Sequence, residues 1–178
     1  MISDIGQPFY DWLIKFSPLS NLLKSEDENG QPIWNIHRDR APQYDEMVME
    51  CIKEGSSVTD FDVPDFLVFR IDDEIYADCV DGACEKPEQI LLSVQLVADC
   101  LEGALKLKEQ FKNAVSKLAN GCSDDLCDRI LSHEMCGIWV ADASVTGVSE
   151  DHQPITRATD FGLQTFDFSM NIVPDWSK

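Results

Sequence analysis

The chain has 178 residues, 44% of them hydrophobic and 26% charged, which gives enough apolar material for one domain with a core and excludes a disordered chain. Asp and Glu number 33 against 14 Lys and Arg, a net charge of −19. A surface this acidic repels the nucleic-acid backbone, so a basic duplex-binding patch is excluded, while plain solubility, a surface that DNA slides past and imitation of DNA itself all stay open.

The start, "MISDIGQPFYDWLIKF", has no basic region followed by an apolar run, so no signal peptide is expected. No window holds ~18 uninterrupted apolar residues, so no membrane span is expected, and the chain is placed in a cytoplasm. The spacing of Phe9, Trp12, Leu13 and Phe16 predicts a helix over Gln7 to Phe16, with Pro8 in its first turn. In "SPLSNLL", Ser17 is a candidate cap, Pro18 suits the first helical position, and Leu19, Leu22 and Leu23 are expected on one apolar face. "KSEDENGQP" reads as a polar loop turning at Asn29-Gly30, and "IWNIHR" as a short strand over Ile33 to Arg38. Tyr44 to Glu54 fits a helix stopped by Gly55, with a strand through "MVMECI" as the alternative.

"DFLVFRID", Asp65 to Asp72, is a continuous apolar run and a strand. "LLSVQLVADC", Leu91 to Cys100, is a second strand that runs straight into a long helix. In that helix Leu101, Ala104, Leu105, Phe111, Ala114, Val115 and Leu118 are expected on the buried face, with Gly121 as its stop. "SDDLCDRILSHEM" predicts a further helix capped by Ser123. "GIWVADASVTGV" is a strand, "SEDHQPITRATD" a polar connection, and "GLQTFDFSMNIV" the last strand. Its alternation puts Phe166, Phe168, Met170 and Ile172 on one face and predicts a polar face of Gln164, Asp167, Ser169 and Asn171. The order implies an α+β fold: a mainly antiparallel β-sheet with helices packed on one face, in a single domain over 1–178.

Catalytic patterns are thin. There is no Gly-rich phosphate loop, no nucleophile elbow and no His-Glu-x-x-His helix. His37, His133 and His152 fall in different elements, and His133 with Cys136 is one example of a nucleophile–base pair to weigh against a surface histidine and a packed thiol. The cysteine pairs Cys79/Cys84 and Cys122/Cys127 share a spacing that permits four thiolates around zinc. Small semi-buried free thiols are the reading preferred, so no metal, no cofactor and no catalytic residue is assigned. The acid-rich strings occupy loops and helix starts, where solvation and the helix dipole account for them. Trp12, Trp34, Trp139 and Trp176 are expected in core or interface packing.

One ordered set of strings goes further. An opening helix leads to "SPLSNLLKSEDENGQPIWNIHRDRAPQ", then "PDFLVFRIDDE", then "VQLVADC" entering the long helix, and last "ATDFGLQTFDFSMNIV". In order and spacing this resembles the tail completion proteins of long-tailed bacteriophages and prophages, the tail terminators that also help join tail to head. Two stretches look like helical insertions, near 43–63 and 122–136, and Cys100 and Leu101 follow Asp99 where the family usually has an aromatic. The resemblance implies a non-enzymatic structural virion protein, a hexameric ring that caps the tail tube and ends its polymerisation. Its partners would be the tail tube protein and a head–tail connector, its place the virion tail after assembly in the host cytoplasm, and DNA would pass it without specific binding. The alternative left by the charge is an acidic cytosolic binding protein, an inhibitor of the immunity or DNA-mimic type.

Overall fold

The computed structural model describes residues 4–42, 44–46, 49, 64–77, 86–121 and 133–178. Strands β3 (Ile36–Arg38), β4 (Phe66–Ile75), β5 (Gln89–Ala98), β6 (Glu134–Met135), β7 (Ile138–Gly147) and β8 (Gln164–Pro174) build one curled sheet in the order β3-β4-β5-β8-β7-β6. β3 runs parallel to β4, and every other neighbouring pair is antiparallel. The helices α1 (Gly6–Lys15), α2 (Ser17–Ser20) and α3 (Leu101–Asn120) share one core with one face of this sheet. The expected α+β architecture is therefore the observed one.

Register explains the two faces. Leu67, Leu96 and Phe166 lie opposite one another across β4, β5 and β8, as do Phe69, Val94 and Phe168. These rows, with Leu92, Met170 and Ile172, form the floor on which the helices sit. Phe9 of α1 meets Phe69 edge-on at 4.8 Å between ring centroids, and Phe111 of α3 meets Phe168 at 5.7 Å. Such aromatic contacts add to a burial worth about 1.5–3 kcal/mol for each large apolar side chain.

Helix α3 starts where β5 ends. Only Asp99 and Cys100 intervene, and the Cys100 Sγ accepts a hydrogen bond from the Gly103 N–H at 3.5 Å. Gly121 closes the helix at φ 72°, a backbone that an L-residue rarely adopts. Its buried face is Ala104, Leu107, Phe111, Ala114, Val115 and Leu118. Leu101 and Leu105, expected in that face, point outward and are 55% and 48% exposed. The stripe runs through Ala104, Leu107 and Phe111 instead, and Leu101 and Leu105 stand to one side of it around the helix axis.

Other expectations needed correction. Leu19 and Leu23 are buried, but Leu22 is exposed, and Ser17 is the first residue of α2 rather than its cap. The "polar loop" 24–32 contains an antiparallel hairpin of β1 (Lys24–Glu26) and β2 (Pro32–Trp34), turned by Gly30 at φ 74° and by the Asp27 carboxylate, which accepts the N–H groups of Asn29 and Gln31 at 2.8 Å. The strand foreseen over Ile33 to Arg38 splits at buried Asn35, whose N–H donates to Leu23 O and whose C=O accepts from Leu67 N–H. Residues 42, 44–46 and 49 are helical, in line with the helix read from Tyr44; the rest of 43–63, and 122–132, lie outside the described residues. The end of the helix foreseen through Met135 is instead strand β6. It joins β7 through Cys136 and Gly137, both at positive φ as a two-residue hairpin turn requires. Trp139, expected in packing, is 38% exposed with the Lys178 ammonium over its ring.

Phe111→Ala should therefore cost about 3–5 kcal/mol in a denaturant melt, whereas Leu105→Ala should stay within about 0.5 kcal/mol of wild type. Equal losses would contradict the position of α3.

Candidate functional site: the second face of the sheet

The sheet's other face divides into two halves. At one end Phe66, Val68 and Val97 pack under Ala41, Tyr44 and Ala158, with Ile155, Phe161 and Leu163 at the margin. The cover there is the helical segment from residue 42 and a short 3-10 turn, Ala158–Phe161, that ends at Gly162 with φ 83°. A buried polar knot pins this cover. The Gln95 Oε1 accepts the Thr156 N–H at 3.0 Å and its hydroxyl at 2.5 Å, and the Gln95 amide donates to Thr156 O at 3.3 Å. Both the oxygen and the nitrogen of that side chain are used, as a buried amide needs.

The other half is open and polar. Arg70, Ser93, Ser169 and Thr146 lie in one row across four strands, and Leu91, Asn171 and Ser144 in the next. A bulge between Ile71 and Asp73 swings Asp72 onto this face. There it accepts Arg70 Nε at 2.8 Å and the Ser93 hydroxyl. A hollow of about 320 Å³ lies beside the bulge, lined by Asp72, Leu91, Ser144, Thr146, Ser169 and Asn171 among others. Asn171 Oδ1 is buried beside the hollow and Asp167 Oδ1 is buried one row beyond Ser169, opposite Gln95, neither with a donor among the described residues. Burial pushes the Asp167 carboxyl above the ordinary carboxylate range, against the weaker opposing pulls of the His152 charge and the Gln95 amide.

The polar face expected from the alternation of β8 was close to this surface. Asp167, Ser169 and Asn171 do share it, but Gln164 alternates onto the side of Phe166, and Thr165 takes its place. Asp72, Ser93, Gln95 and Ser144 join only through strand register and carried no signal of their own. No protein-family model matches the chain, and no curated protein matches it.

The remaining candidates do not converge. His37 stands on β3 against the edge of Phe66, its imidazole held below its ordinary value by burial, with Asp45 pulling it up. His133 precedes β6, and His152 neighbours Asp167. Cys136, proposed as a partner of His133, has Lys15 as its hydrogen-bonding neighbour, and burial raises its thiol. Such a thiol is a poor nucleophile. Cys79, Cys84, Cys122 and Cys127 lie outside the described residues. Among the described residues no group of three or more His, Cys, Asp or Glu is placed to hold a metal ion, and no helix is long and apolar enough to cross a membrane.

Two measurements check this surface. Gln95→Leu should strip the partners from Thr156, cost about 1–3 kcal/mol, and speed amide exchange from Ile155 to Leu163 more than in α3. For Asp167 the raised folded value means that its ionisation opposes folding: the penalty is absent in strong acid and grows as pH rises through the window between its ordinary and folded values. Asp167→Asn should then be more stable than wild type at neutral pH, with the gap closing in acid; a gap that persists in strong acid would contradict the burial argument.

Proposed function

We propose that this chain is a tail-terminator protein of a long-tailed phage or prophage, an assembly component that caps the tail tube as a ring, ends its growth and offers the head connector a docking surface. The observation that carries the reading is spatial. The strings that resemble the family in the sequence, "PDFLVFRIDDE", "VQLVADC" with its helix, and "TFDFSMNIV", are β4, β5 with α3, and β8, three adjacent strands and the helix laid on them. A resemblance scattered over unrelated surfaces would carry less weight than one that occupies the centre of a single sheet.

The charge fits this role. A net charge of −19 repels phosphate, so a genome can slide past such a ring without sticking. An assembly role also asks for surfaces rather than for a converging acid, base and nucleophile, and the three histidines stand apart in the fold. The charge also supports a second reading, an acidic inhibitor that offers its carboxylates to a DNA-binding protein. That protein would act as a monomer and leave tail tubes unchanged.

The test is tube length. Tail tube protein polymerised with this chain should give tubes that stop growing, scored by electron microscopy against tubes grown without it. An unchanged length distribution at saturating protein would overturn the proposal.

A further inference from the structure

The open half of the second sheet face and one flank of α3 are opposite in character, and α3 packs on the other face of the sheet. On α3, Leu101, Leu105, Lys108 and Lys112 recur at i, i+4, i+7 and i+11, so they form one stripe along the helix. Its leucines are the two that the core leaves out, 55% and 48% exposed. Its lysines make no ion pair among the described residues. Their ammonium groups rest over the rings of Phe166 at 4.6 Å and Phe168 at 5.8 Å. With Lys106 and Lys117, α3 carries four of the chain's 14 basic residues against Glu102 and Glu109, which makes it a positive ridge on a strongly acidic molecule.

The sheet face has what such a ridge needs. Asp73 and Asp142 are exposed and pair with Leu91 and Val173 on the rows of this face. Neither forms an ion pair among the described residues. Between them lies the hollow of about 320 Å³, with Ser144, Thr146 and Ser169 in its wall. Its volume is at the lower end of ligand cavities, about 300–1,000 Å³, and its open, hydroxyl-rich wall suits inserted side chains.

We propose that the occupant of this face is a second copy of the chain, docked by the Leu101–Leu105–Lys108–Lys112 stripe of its α3. Charge decides the geometry. Two copies at −19 each repel, and a two-fold contact of face with face sets acid against acid, while α3 with α3 sets lysine against lysine. Only the contact of α3 with the sheet face of the next copy sets unlike charges together. It also covers the exposed leucines and sets the Lys108 and Lys112 ammonium groups toward the carboxylates of Asp73 and Asp142. That contact is heterologous, so each copy keeps one free stripe and one free face until the chain of copies closes. Closure into a ring rests on the tail-terminator reading; the contact itself does not.

A charge swap tests it by sedimentation velocity on the full chain, over a concentration and salt series. Wild type should associate at low salt and dissociate as salt screens the contact. Lys108→Glu/Lys112→Glu and Asp73→Lys/Asp142→Lys should each weaken association by about tenfold or more, and their equimolar mixture should recover it, because the glutamate stripe then meets the lysine face. Asp73, Asp142 and Lys112 are exposed and Lys108 is half-buried, and circular dichroism checks the fold. Should a reversal unfold the chain, Lys108→Gln/Lys112→Gln replaces it with the same expected loss. Wild type that stays monomeric at every concentration, a variant that associates as wild type does, or a mixture without recovery overturns the proposal. Association that follows the swap while tail tubes keep growing would keep this interface and remove the tail reading.

Discussion

Strand β5 is the constraint on which the rest depends. It is hydrogen-bonded on both sides, to β4 and to β8, and every residue from Leu92 to Ala98 is buried. Its even positions supply Ile90, Leu92, Val94, Leu96 and Ala98 to the helical core. Its odd positions supply Ser93, Gln95 and Val97 to the other face, where Gln95 ties down the cover and Ser93 meets Asp72. Two residues after its end α3 begins, so the direction of the strand also sets where the helix lands. A one-residue slip would exchange the two faces at once, putting Ser93 and Gln95 among the helices and apolar side chains where Asp72 and Thr156 now find their partners.

This dependence explains what was legible in the sequence. β4, β5 and β8 announced themselves by apolar runs or by alternation, and α3 by its helical period, because each buries a face that selection must keep apolar. The hairpin β1–β2 was half hidden because it is mostly exposed and its first arm, Lys24–Glu26, is polar; the Asn29-Gly30 turn was visible, and Ile33 and Trp34 of the second arm fell within the strand foreseen from Ile33. Leu101 and Leu105 misled because they flank the apolar stripe around the helix axis, and spacing alone does not say where its edge falls; Ala104, between them in the sequence, is buried. The short β6 needs β7 beside it to exist at all, so nothing in "HEM" alone distinguishes it from a helix end.

The candidate site was half legible for the same reason. Asp167, Ser169 and Asn171 could be read from the alternation of β8, with Gln164 placed on the wrong side by one position. Thr156 and Gln95 are 61 residues apart, and no local pattern announces their contact. Asp72 reaches the face through a bulge, which shifts the alternation of β4 midway and cannot be counted from the apolar run before it. What joins these residues is register, a property of pairs of strands.

A ring protein needs two different surfaces that fit each other, and a fold with one helical side and one open sheet side supplies two. Fold alone does not carry function; the tail-terminator reading rests on where the resembling strings lie, and the ring contact on where charge and exposed leucines lie. The most direct measurement is a cryo-electron microscopy reconstruction of tail tube ends incubated with this chain. The account predicts a closed ring of copies on the tube end, each α3 seated on the sheet face of its neighbour. Bare tube ends, with the protein left free in solution, would contradict it.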